Sequence, residues 1–201
     1  MRNAKILFIE DDLDFKNDPL IIEIKEEFQE VSFYDNSAEA LAFIEENISS
    51  KIIIMLDLAF PPNQPDGHKI LNSIRELSFL IPIIIFSGRP EETEPFADLI
   101  NNRAFAFIKK DSSSQEIVNK LIEADDYLNS DVSTALEEWI NTHSDNDKNK
   151  PFMKSLDGAA LSLNDILFEI RQQTETGKNF SKNLLKLTID LISRNKEQFN
   201  D

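Results

Sequence analysis

The chain has 201 residues, 41% of them apolar, and a formal net charge of −16 from 37 acidic and 21 basic side chains, with two histidines and no cysteine. That length suits one domain of ordinary size with a smaller appendage, and the apolar share is enough for a packed core. Lack of cysteine excludes disulfides, thiolate metal sites and thiol nucleophiles, His68 and His143 lack zinc-like spacing, and no run approaches the roughly 18 apolar residues of a membrane span.

Any metal is therefore expected on oxygen. The N-terminus passes from MRNAK directly into an apolar run without a cleavage-site pattern, so a cytoplasmic protein is expected.

Short apolar runs alternate with amphipathic segments through the first part of the chain, the pattern of a βα repeat. KILFI predicts a strand near 4–9. Asp18 followed by Pro19 reads as an N-cap with proline at the first helical position, opening a helix over PLIIEIKEEFQ. VSFY, near 31–34, is short and mixed and suits an edge strand. NSAEALAFIEEN gathers Ala40, Leu41 and Ile44 on one helical face. IIIMLD, near 52–57, and IPIIIF, near 82–86, are continuous rather than alternating, as expected of strands covered by helices on both faces. Between them GHKILNSIREL forms the third helix through Ile70, Leu71 and Ile74. TEPFADLINN predicts a short fourth helix, FAFI a strand near 105–108, and SQEIVNKLIEADDYL a fifth helix through Ile117, Leu121 and Ile122.

Strand signals stop after about residue 130. VSTALEEWINTH reads as one more helix, whose Trp139 needs a partner to bury it, and SDNDKNKP reads as a polar linker ended by Pro151. Ser162 with Asp165 makes a capping-box arrangement before LNDILFEIRQQ, and Gly177 is placed to stop that helix. A final helix over NFSKNLLKLTIDLISRNK completes a helical hairpin. The expected division is 1–128, a helix and linker over 129–150, and the hairpin over 151–201.

In a doubly wound parallel sheet the C-terminal ends of the strands lie along one edge, and chemistry collects there. Four of the runs end in reactive groups: Glu10, Asp11 and Asp12 after the first, Asp57 after the third, Ser87 after the fourth and Lys110 after the last. Clustered carboxylates need a compensating cation, and Mg²⁺, a hard ion that binds through one or two carboxylates, water and phosphoryl oxygens, suits Asp11 with Asp57. A carboxylate beside Mg²⁺, an ammonium and a hydroxyl can accept a phosphoryl group, because that transfer needs mainly positioning and charge neutralisation. Asp57 is the expected nucleophile. Taken singly, the acidic triplet is an ordinary loop, Ser87 a turn residue, Lys110 a surface lysine and Phe107 a core aromatic; together and in order they point one way. His68 and His143 have no neighbour that suggests acid–base work.

Over roughly residues 4–128 the sequence resembles the receiver domain of two-component response regulators. ILFIEDD is similar to its opening strand and acidic cluster, IIIMLDLAFP to its phosphoacceptor strand, IIIFSG to its Ser/Thr strand and FAFIKKD to its lysine strand. The resemblance implies a flavodoxin-like α/β fold with a five-stranded parallel sheet in the order 2-1-3-4-5, here followed by an α-helical C-terminal extension. It implies Asp57 as phosphoacceptor, with Glu10, Asp11, Asp57 and the Ala59 carbonyl as Mg²⁺ ligands and Asp12 as an extra neighbour. Ser87 matches the switch hydroxyl. Lys110 aligns better than Lys109 with the family lysine, because Phe107 then takes the aromatic switch position. Ala59 and Arg89 match positions that tune phosphoryl lifetime. The family's glycine about eight positions after the phosphoacceptor is Gly67 here, ten positions after, so Pro61–Gly67 carries an insertion beside the site.

By this resemblance a histidine kinase or phosphotransfer protein is the expected donor, and only self-phosphorylation and self-dephosphorylation are expected in place of enzymatic turnover. Residues 150–201 carry eight basic and seven acidic side chains, net +1, which leaves −17 on residues 1–149. Neither part has the basic excess that supplies nucleic-acid affinity. The broad apolar faces of the tail favour self-association or a partner protein, without membrane contact. Two alternatives stand beside this reading: a transcription factor with a divergent helix-turn-helix in the tail, and a Mg²⁺-dependent phosphatase with an aspartate nucleophile. The second lacks its expected second carboxylate, since Asp57 is followed by Leu58 and Ala59.

Overall fold

Burial on both faces dictates the centre of the sheet. β3 (Ile52–Leu56) and β4 (Ile83–Ser87) are nearly unbroken apolar runs with every residue buried, and β1 (Arg2–Ile9) ends in the buried run ILFI. With β2 (Phe28–Tyr34) and β5 (Ala106–Lys109) they make one parallel sheet in the order β2-β1-β3-β4-β5. The computed structural model describes residues 1–61, 65–88, 104–155 and 158–198. Its contacts divide the chain into two units, Met1–Asn129 and Ser130–Asp201.

In the first unit, alternation along the strands sends side chains to two cores. Phe8, Ile53, Met55, Ile84 and Phe86 pack with α1 (Pro19–Glu27) and α4 (Ser114–Ser130). Leu7, Ile9, Ile54, Leu56, Ile83 and Ile85 pack with α2 (Ser37–Glu46) and α3 (Gly67–Leu77). Asp18 accepts from the Leu20 amide, with Pro19 at the first helical position as its spacing predicts. The first helix is shorter than expected. It ends at Glu27 because Phe28, fully buried, caps it and begins β2 opposite Arg2. A 3₁₀ turn, Leu13–Asn17, was not anticipated. The helix expected over TEPFADLINN lies outside the described residues.

The second unit corrects the reading of the tail. α5 (Val132–Asn141) forms as expected, but the polar stretch read as a linker contains a short helix, α6 (Asp145–Lys148), capped by Ser144. Strands also recur: β6 (Pro151–Lys154) pairs antiparallel with β7 (Ala160–Ser162). Strands of three and four residues with mostly exposed faces leave little hydrophobic pattern to detect. α7 (Leu163–Arg171) begins with the anticipated capping box, Ser162 and Asp165 satisfying each other's backbone amides.

Gly177 does not stop α7. The stop is Gln173, at φ +50°, and Gly177 lies inside α8 (Glu175–Gln198), where a Cβ would meet the Glu169 carbonyl oxygen at 2.3 Å. The glycine serves close approach between α7 and α8. Trp139 remains 41% exposed, with its ring against His143 and Phe152 at centroid distances of 4.6 and 6.2 Å.

Candidate functional site: an acidic pocket at the strand ends

The parallel sheet delivers the reactive residues to one edge by backbone pairing alone. Glu10 donates its amide to the Tyr34 carbonyl, Asp57 to the Ile9 carbonyl and Lys110 to the Ser87 carbonyl, at 3.0, 3.0 and 3.2 Å. These three bonds extend the ladders by one residue and carry the side chains from the core to the rim.

Glu10 and Asp57 are buried there and Asp11 is exposed, and one carboxylate oxygen from each lies within 4.8 Å of the others. The Lys110 ammonium stands 2.7 Å from Asp57 Oδ2 and 2.5 Å from Glu10 Oε2. The second oxygen of Asp57, Oδ1, accepts from the Ala59 amide at 3.2 Å. Glu10 Oε1 accepts from the Asp12 amide at 3.3 Å.

One ammonium does not balance three carboxylates. Burial pushes the Glu10 pKa up to about 7; its bond to Lys110 opposes the rise and repulsion from Asp57 adds to it. For Lys110, burial disfavours the charge, but the bonds to Asp57 and Glu10 outweigh it and hold the ammonium above its ordinary pKa. The pocket is thus short of positive charge, which suits a hard divalent cation: its donors are all oxygen, and it has a buried and an exposed side.

Ser87 is buried at the last position of β4, in register with Lys109. Lys109 is exposed, while Lys110 turns onto the carboxylates and also stands 6.0 Å from the Phe86 ring centroid. Phe107, half-buried on β5 in register with Ile85, packs against the core beneath α2 and α3. Arg89 lies outside the described residues. Asp12 does not join the carboxylate group. It caps the 3₁₀ turn, accepting from the Asp14 amide at 3.0 Å, and that turn brings Phe15 against Phe8 and Phe86 behind the site.

By spacing alone Gly67 is an anomaly, whereas in the structure it is a packing requirement. Its amide donates to the Leu58 carbonyl, and a Cβ would lie 2.4 Å from the Asp57 carbonyl oxygen and 2.5 Å from Leu58 Cα. The start of α3 is pressed against the backbone of Asp57.

The profile described as "Response regulator receiver domain" matches residues 6–122, more than half of the chain. The chain belongs to that family.

Among solved structures, the signal receiver domain of a Vibrio parahaemolyticus protein aligns at TM-score 0.54 and 19% identity, covering 71% of this chain and 100% of that one. A CheY-like receiver domain from Methanospirillum hungatei aligns at TM-score 0.54 and 20% identity over 65% and 100%. A response regulator receiver domain protein from Clostridium thermocellum aligns at TM-score 0.53 and 23% identity over 61% and 94%. These likenesses show the fold. No curated protein matches the chain. Receiver domains are signalling domains, and the acidic pocket stands where this fold's strand ends converge. Among the described residues no helix is long and apolar enough to cross a membrane.

Proposed function

We propose that Asp57 accepts a phosphoryl group in a Mg²⁺-dependent reaction and that the protein passes the signal on through protein–protein contact. The observation that carries this reading is the setting of Asp57: buried, held at Oδ2 by Lys110 and at Oδ1 by the Ala59 amide, with Glu10 and Asp11 beside it. Two directional donors fix the rotation of a carboxylate that must attack in line.

Glu10, Asp11, Asp57 and the Ala59 carbonyl would hold Mg²⁺, which supplies charge neutralisation for the phosphoryl oxygens. An Asp57 oxygen forms the new bond to phosphorus as the bond to the donor breaks. With a phosphohistidine donor the imidazole nitrogen takes the electron pair, and an aspartyl phosphate results. The new charge recruits the Lys110 ammonium and the Ser87 hydroxyl to phosphoryl oxygens, and Phe107 on β5, the strand that ends just before Lys110, follows that movement. Ala59 and Arg89 tune the lifetime of the acyl phosphate. A histidine kinase or phosphotransfer protein is the donor, and the setting is the cytoplasm.

Residues 1–128 act as the receiver, 129–150 as helix and connection, and 151–201 as the output surface. The transcription-factor reading gains nothing from a tail of net charge +1. The phosphatase reading still lacks its second carboxylate, because Ala59 stands in that position.

The test is intact mass after incubation with Mg²⁺ and acetyl phosphate. The wild-type chain gains one phosphoryl group, chelation of Mg²⁺ prevents the gain, and Asp57→Ala abolishes it. An equal adduct on Asp57→Ala would refute the assignment.

A further inference from the structure

Beyond Ser181 the last helix outruns whatever covers its first turns. Gly177 and Ser181 are buried, whereas Leu185, Leu187, Ile189, Leu191 and Ile192 are each 45–56% exposed. A helix apolar over so much of its circumference is ordinarily covered. Phe180, Leu184, Leu187 and Leu191 follow one another by four, three and four residues, the spacing of a coiled-coil seam. The first three of them line an open cavity of about 910 Å³ that is also lined by Phe152, Met153 and Leu161 of the β6–β7 hairpin.

We propose that this groove receives α8 of a second copy of the chain, laid antiparallel, with Phe180 of each copy facing Leu191 of the other and Leu184 facing Leu187. Three observations select a second copy over another occupant. A spacing of four, three, four reads the same in both directions, so a two-fold axis passing between positions 185 and 186 brings the seam onto itself, as an isologous contact requires. One helix provides both a wall of the groove and, at Leu187 and Leu191 on the same stripe, uncovered apolar length, so a single operation buries both in both copies. Electrostatics agrees. The chain carries −16, but residues 150–201 carry +1, so two like-charged copies meet here with the least repulsion, and a strongly charged foreign partner finds little to steer it.

The experiment is sedimentation equilibrium on the full chain over a concentration series, with circular dichroism to confirm folding of each variant. The wild type is expected to pass from monomer to dimer. Leu187→Lys and Leu184→Glu each weaken self-association by roughly tenfold or more. An equimolar mixture of the two variants recovers dimer, because L187K of one copy then faces L184E of the other. Leu191→Glu, at a half-exposed position, probes the same seam should Leu184→Glu fail to fold. A wild type that stays monomeric up to its solubility limit overturns the proposal. So does a dimer that survives L187K and L191E, which places the contact elsewhere, or a mixture that stays monomeric, which excludes the antiparallel register. None of these readouts depends on phosphoryl acceptance at Asp57.

Discussion

Replacing Gly67 with alanine tests how the fold holds Asp57, the proposed phosphoacceptor. The added Cβ would sit 2.4 Å from the Asp57 carbonyl oxygen and 2.5 Å from Leu58 Cα, against an ordinary contact distance of 3.4 Å or more. Both obstructing atoms are backbone, so neither can rotate away. Either the start of α3 or the segment after β3 must retreat by roughly 1 Å, and overpacking on this scale costs about 1–3 kcal/mol. Where the segment after β3 retreats, the Asp57 carboxylate moves with its backbone and its 2.7 Å contact with the Lys110 ammonium is disturbed. Misplacement of a reacting group by about 1 Å slows group transfer by up to about a hundredfold. The control is Gly88→Ala, next to Ser87 at the same rim, where a Cβ meets nothing within 4 Å among the described residues. Urea unfolding should show a lower midpoint for Gly67→Ala alone, and phosphorylation by acetyl phosphate, followed by intact mass, should slow in that variant alone. Wild-type stability and rate in Gly67→Ala, or equal losses in both variants, would refute this account of the contact.

Lys110→Ala leaves Glu10 and Asp57 buried without their ammonium; because that side chain is 30% exposed, a loss of about 1–3 kcal/mol is expected rather than the larger value for a fully buried pair. The loss should fade as pH falls and Glu10, whose pKa burial pushes up to about 7, becomes neutral, and added Mg²⁺ should stabilise the variant more than the wild type in thermal melts. In the second unit, Glu137 bonds Arg171 Nε at 2.7 Å, yet burial pushes its pKa above the ordinary 4.5 despite that partner. A raised folded-state pKa means that its contribution to stability is full below 4.5 and is lost as pH rises through the folded value. Glu137→Gln should therefore gain stability relative to wild type as pH rises from acid to neutral, and a flat or falling difference in urea midpoints would contradict this. Gly177→Ala places a Cβ 2.3 Å from the Glu169 carbonyl oxygen and should cost about 1–3 kcal/mol, read as a lower urea midpoint.

Much of the receiver unit was legible because its strands are buried on both faces. IIIML and IIIF read as strands without any tertiary information, and VSFY was placed correctly at an edge by its mixed character. Helix starts were equally legible at Asp18–Pro19 and Ser162–Asp165, since a cap is decided within four residues. Helix ends were less so. Nothing local separates a helical Phe28 from one that caps α1 and joins β2, and its full burial beside β1 decides the matter. Gly177 shows the same limit: a helix-stopping residue by composition serves instead to let one backbone touch another.

By itself the sequence determined which residues could do chemistry and in what order they appear, because apolar runs that end in Glu10, Asp57, Ser87 and Lys110 carry that information in a few consecutive positions. Only the tertiary structure decided how they share charge. Lys110 bridges Glu10 as well as Asp57, Asp12 withdraws to cap a turn, and Gly67 presses on the Asp57 backbone. Each of these rests on distances between residues far apart in the chain, or on a turn whose hydrogen bonds compete for the same side chain, and neither is written in local propensity.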